Sequence, residues 1–157
     1  IVKFYVYDEI YETDEEFSRK KKLNSVKVAL DGMTEGERKR IGKLLGLGIT
    51  EESTSKKVYN TLDNYLSTPK THLDVDPIAT FTKYAEMSKE TIFVKNIIND
   101  LISLNIVRLK GGVVKEGETI WAKTVDEFEA TLLDHKNAEI LESFEDKIKQ
   151  KRIINSI

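Results

Sequence analysis

Between Thr13 and Leu66, apolar residues recur at three- and four-residue spacing, and short polar or glycine-containing breaks interrupt them. The first such run predicts a helix over about 14–30, carrying Phe17 and stopped at Asp31-Gly32. A second helix runs from Thr34 to about Leu45, with Ile41, Leu44 and Leu45 on one face and Gly46 and Gly48 at its end. A third, capped by Ser53 or Ser55, reaches about Leu66 and carries Val58, Tyr59, Leu62, Tyr65 and Leu66. Thr13 to Glu16 and Thr34 to Glu37 both have the form in which a threonine and a glutamate three residues on cap each other's backbone N–H. Residues 1–7, IVKFYVY, follow a different rule. They are aromatic and β-branched on both alternating faces, which predicts a strand covered on both sides or by a partner.

Residues 67–76 lose all period and contain a proline, so they predict a linker. Asp76-Pro77 opens the next helix, because proline suits the first helical position; Ile78, Phe81, Tyr84 and Ala85 follow. Ser88 caps a longer helix to about Leu104. The period then drops to two. Three short runs, Ile106–Lys110, Val113–Glu116 and Thr119–Lys123, are separated by Gly111-Gly112 and Gly117-Glu118, which predicts an antiparallel meander. Thr124 to Glu127 repeats the capping form before a helix with Phe128, Leu132 and Leu133. Asn137 is expected to cap a last helix with Ile140, Leu141, Phe144 and Ile148, whose basic end from Lys147 to Arg152 frays. The expected fold is mainly α with a small antiparallel β-meander. An N-terminal strand and helical-hairpin half (1–66), a linker (67–76) and a half of helices with the three-stranded meander (77–157) make it up.

Composition narrows the function classes. The chain has 157 residues, the size of one ordinary domain or two very small ones, and no cysteine, which removes disulfides, thiolate metal sites and a cysteine nucleophile. It has no run of 18 apolar residues and no basic-then-apolar leader, so a membrane partner is not expected and a cytoplasmic location is. The first residue is Ile1 rather than Met, which predicts a trimmed or partial chain.

Net charge is −2, but its distribution is uneven. Residues 1–16 carry one lysine and six acids, about −5; residues 17–57 carry eleven basic residues and five acids, about +6.

Catalytic chemistry has few candidates. His72 falls in the linker and His135 between two helices, and neither has metal-ligand spacing. No glycine loop has the strand-before, Lys-Ser/Thr-after context of a phosphate cradle. Asp8, Glu9 and Glu12 are the nearest thing to an acid cluster and read as a solvated face. The expectation is a non-enzyme without cofactor, metal or small-molecule substrate.

Two segments bear a likeness to known modules. Residues 34–66, two helices around Leu45-Gly46-Leu47-Gly48-Ile49, resemble the SAP and helix-extended-loop-helix modules. That resemblance implies backbone contacts to DNA from Arg38, Arg40 and Lys43 on the first helix and Lys56 and Lys57 on the second. Residues 92–135, with the Ile-Val-Arg-Leu-Lys-Gly-Gly run, are similar to a winged helix with 106–123 as its wing. They equally resemble the small C-terminal domain of RecA-type recombinases, although Val113 and Val114 stand where that family has aromatics. Both likenesses imply accessory contacts rather than chemistry. The whole chain resembles small bacteriophage-encoded proteins in its Lys-, Ile-, Asn- and Glu-rich, cysteine-free composition, which implies host cytoplasm or virion as its place.

Two functions are therefore expected. One is weak nucleic-acid binding, DNA in the first instance, through the basic segment 17–57, with Arg19, Lys20, Lys22, Arg38, Arg40, Lys43, Lys56 and Lys57 as the contacts. The other is assembly with other proteins, as virion component or adaptor, through an N-terminal strand anchored by Phe4, Tyr5, Val6 and Tyr7.

Overall fold

The structure, a computed structural model, describes residues 2–68 and 75–157, with side chains from residue 14 onward. The chain is mainly helical with one small antiparallel sheet, and it divides into two compact units, Ile1–Glu86 and Met87–Ile157.

The first unit holds α1 (Val2–Gly32), α2 (Glu35–Leu44), α3 (Ser55–Ser67) and α4 (Pro77–Ala85). No glycine or proline stands before Gly32, so nothing stops α1 from propagating. The strand expected over 1–7 is therefore absent: residues 2–7 are helical, and Thr13 lies inside the same helix rather than at its start. Strand preference depends on a sheet to join, and the sheet among the described residues belongs to the other unit. The side chains of Phe4, Tyr5, Val6 and Tyr7 lie outside the described residues.

The caps of the next helices follow the sequence closely. Thr34 accepts from the Glu37 N–H at 3.2 Å and the Glu37 carboxylate accepts from the Thr34 N–H at 3.0 Å. After α2, Gly46 adopts φ +70, and the Leu47 N–H reaches back to the Gly42 carbonyl, a glycine helix stop. The α3 cap is Thr54, not Ser53 or Ser55. Ser53 instead accepts from the Thr50 N–H at 2.9 Å and shapes the loop. Asp76 caps α4, with Pro77 at the first position. Leu30, Ile41, Val58, Leu62, Leu66 and Phe81 form the buried centre of this unit. Helix α4 packs on α1, α2 and α3, so it belongs here rather than to the second half as expected from the linker's position. His72 and most of that linker lie outside the described residues.

The second unit runs α5 (Lys89–Ser103), β1 (Arg108–Lys110), β2 (Val113–Glu116), β3 (Thr119–Ala122), α6 (Val125–Leu133), a 3₁₀ turn (His135–Asn137) and α7 (Ala138–Ser156). Ser88 caps α5 by accepting from the Thr91 N–H. Asn105, at φ +58, ends it and turns the chain toward β1, a left-handed position that asparagine tolerates. Asn137 does not cap α7. Its side chain donates to the Thr131 carbonyl at 3.0 Å and ties the 3₁₀ turn to α6. The α7 helix continues through Lys147–Arg152 to Ser156, where fraying was expected. The core joins Val94, Leu101, Val107 and Val114 to Phe128, Phe144 and Ile148. Phe144 is central: the Phe128 ring meets it edge-on at 5.6 Å and the Trp121 ring at 5.2 Å.

Candidate nucleic-acid interface

The eight cations expected to contact a nucleic acid fall into two groups. Four lie half-buried. Arg19 donates to the Thr68 carbonyl at 3.3 Å. Arg38 donates from Nε to the Leu30 carbonyl at 2.9 Å and from its terminal nitrogen to the Asp31 carbonyl at 3.0 Å, and it stacks on Tyr59. It thus closes the C-terminal end of α1, where carbonyls lack helical partners. Lys43 pairs with Glu51 at 3.0 Å, while Lys39 donates to the Glu51 carbonyl, so the two lysines pin the α2–α3 loop. Arg40 is half-buried along α2, with its guanidinium over Gly36. The other four, Lys20, Lys22, Lys56 and Lys57, are exposed. Lys20 and Lys22 lie on α1, and Lys56 and Lys57 in the first turn of α3.

The sheet of the second unit presents a different arrangement. Antiparallel pairing sets Arg108 opposite Lys115, Leu109 opposite Val114 and Lys110 opposite Val113. Across the other ladder, Lys115 stands opposite Ile120. Residues directly opposite share a face, so Arg108, Lys110, Val113, Lys115 and Ile120 lie on one side of the sheet. Val114, Glu116 and Ala122 lie on the other, against the core, where Val114 and Ala122 are buried.

Register is fixed by the turns. Gly111 and Gly112 have φ +60 and +83, the two positive values that a two-residue hairpin of matching twist needs. In β3, Trp121 is the extra residue of a bulge between the Lys115–Ile120 and Val114–Ala122 pairs, and its indole packs on Phe144.

The outer face therefore carries three cations, two aliphatic residues and no acid. Arg108 and Lys110 are exposed, and Ile120 is 59 % exposed. None of the three cations makes an ion pair or side-chain hydrogen bond among the described residues. Glu116 does not neutralise them: it turns inward, accepting from Lys147 Nζ at 2.6 Å and from Trp121 Nε1 at 3.3 Å. Like charges directly opposite in a ladder cost a few tenths of a kcal/mol, and here nothing within the sheet offsets that cost.

Sequence reasoning passed over Arg108, Lys110 and Lys115. Their signal was present in the alternation of RLK and VVK around a two-glycine turn, which puts all three cations on one face.

Among the described residues no group of three His, Cys, Asp or Glu could hold a metal, and no helix is long and apolar enough to cross a membrane. His135 is exposed in the 3₁₀ turn. Compared with protein-family models, curated proteins and solved structures, the chain matches none.

Proposed function

We propose that this chain is a non-catalytic accessory protein that holds nucleic acid by its phosphate backbone, through the outer face of the three-stranded sheet. Arg108, Lys110 and Lys115 supply the charge. The observation that carries the reading is the Arg108–Lys115 cross-strand pair, two cations set directly opposite with no acid on their face. A phosphate placed between them removes their mutual repulsion and gains charge-assisted hydrogen bonds. Lys110, two residues along the same strand, extends the line of charge at the spacing of a backbone-tracking surface. Ile120 and Val113 between the cations offer apolar contact to sugars or bases. Three contacts give weak, salt-sensitive binding with little sequence preference, since phosphates carry no sequence information directly.

The test is fluorescence anisotropy of labelled single- and double-stranded DNA with the full chain at low and physiological salt. The R108E/K110E/K115E variant is expected to lose binding, and the K20E/K22E/K56E/K57E variant to keep most of it. All seven residues are on or near the surface, so both variants should fold. Retention by the first variant and loss by the second would return the interface to the helical segment. Binding of the wild type to anionic vesicles but not to DNA would replace the nucleic acid by a membrane surface.

A further inference from the structure

Helix α1 has a stretch that buries no side chain in its own unit. Residues 14–22 include no buried side chain, and apart from the half-buried Arg19 all are exposed. Beyond the Arg19 bond to the Thr68 carbonyl, these nine helical residues gain little from tertiary packing, the usual source of helix stability. Glu15 and Arg19, and Glu16 and Lys20, have the i,i+4 spacing, yet no ion pair forms between them; the local contact is Lys21 Nζ over the Phe17 ring, 4.8 Å from its centre. The apolar residues here face outward. Phe17 is 58 % exposed and Val28, further along, 71 %. Phe17, Lys21, Asn24 and Val28 follow at steps of four, three and four, so they form one stripe on the solvent side. Leu23, Val26 and Leu30 supply the opposite stripe that faces the unit's core, with Val26 and Leu30 buried.

Charge along this stretch is divided about Phe17. Asp14, Glu15 and Glu16 precede it; Arg19, Lys20, Lys21 and Lys22 follow it. Such an arrangement complements itself when two copies run antiparallel with their Phe17 residues at the two-fold axis. We infer that the exposed face of α1 is a homodimer interface, an antiparallel pairing of α1 with α1 of a second copy centred on Phe17. The two Phe17 rings pack on each other across the axis. On either side, Asp14 of one copy lies against Lys20 of the other, the pair that a two-fold axis at Phe17 sets opposite on the same helix face. A two-fold interface uses the same patch on both subunits, which is what a sequence acidic on one side of a central aromatic and basic on the other provides. A parallel pairing would set lysine against lysine and is disfavoured by the same charges.

This inference is independent of the sheet's role, and its test uses no nucleic acid. Sedimentation equilibrium of the full chain at low ionic strength is expected to show a concentration-dependent dimer. Phe17→Asp should weaken self-association about tenfold or more, since it removes the apolar centre. The reversals D14K/E15K/E16K and K20E/K21E/K22E should each be monomeric alone, because each sets like charges at positions 14 and 20 opposite each other across the axis. Mixed in equal amounts, the two reversed chains should form a heterodimer. Recovery on mixing also shows that both variants are folded, so loss of dimer in each alone does not reduce to misfolding. A monomeric wild type at all concentrations would overturn the inference. So would dimers that survive either reversal, or reversed chains that fail to pair on mixing.

Discussion

The helical unit and the sheet unit both carry basic residues, but they use them differently. The segment 17–57 holds an excess of about six positive charges, the largest in the chain. Half of the cations expected to act there are half-buried: Arg38 closes a helix end, Lys43 pins a loop, Arg19 reaches the end of α3 and Arg40 runs along α2. The sheet carries three cations on its outer face, and all three lack a partner among the described residues. A sum of charge along a sequence therefore does not locate a binding surface. The proposed surface rests instead on charge that the fold sets side by side and leaves unneutralised among the described residues.

The sharpest way to break that comparison is to remove the scaffold of one unit and not the other. Phe144→Ala deletes the ring that Trp121 and Phe128 both pack on, and should destabilise the second unit by about 3–5 kcal/mol. Hydrogen exchange should show the loss confined to residues after Met87, and DNA binding should fall with it. In the first unit, Gly42→Ala puts a Cβ into Ile49 where α2 and the following loop approach closely. Overpacking of that kind costs about 1–3 kcal/mol, read as a shift of the denaturant midpoint, and should leave DNA binding by the folded protein unchanged.

A smaller effect tests whether Arg38 is structural. Arg38→Ala removes two hydrogen bonds to the end of α1 and the stack on Tyr59, and should cost about 1 kcal/mol of stability in urea melts. A phosphate-contacting Arg38 would lower DNA affinity instead, with stability unchanged. The smallest effect concerns pH. Tyr59 donates to Asp31 at 2.6 Å, and that hydrogen bond, before burial and the nearby carboxylates, raises its pKa above the usual 10.0. A raised folded pKa adds stability that is complete below the unfolded value and is lost as pH rises through the folded one. Wild-type stability should therefore fall as pH rises above about 10, and Tyr59→Phe should make that fall smaller; burial raises the Tyr65 pKa as well, so part of it remains, as followed by thermal melts across that range.

The local signals in the sequence were reliable where a breaker or a cap stood at a real chain reversal. Thr34 with Glu37, Asp76 with Pro77, Ser88 and the Gly111-Gly112 turn all do what their chemistry implies. The failure at the N-terminus has the same root. Thr13 to Glu16 has the form of a cap, but no glycine, proline or polar loop precedes it, so the helix simply continues through. The β-branched and aromatic residues at 1–7 read as a strand because local composition says nothing about whether a sheet edge is within reach. The sheet surface was only half legible. Strand positions and turns could be read, but the cation face emerges once the two-residue turn fixes Arg108 opposite Lys115. Partners such as Glu51 for Lys43, or the Leu30 carbonyl for Arg38, depend on loop paths that spacing does not encode.

The central claim is that the sheet cations, and not the helical segment, neutralise phosphate. The most direct measurement is the slope of log affinity for duplex DNA against log salt concentration, taken for the wild type and for single neutral replacements. Each phosphate neutralised contributes about −0.9 to that slope. R108Q, K110Q and K115Q should each make it shallower by about that amount, while K20Q, K22Q, K56Q and K57Q leave it unchanged. A slope that responds to the helical lysines and ignores the three sheet residues would contradict the account.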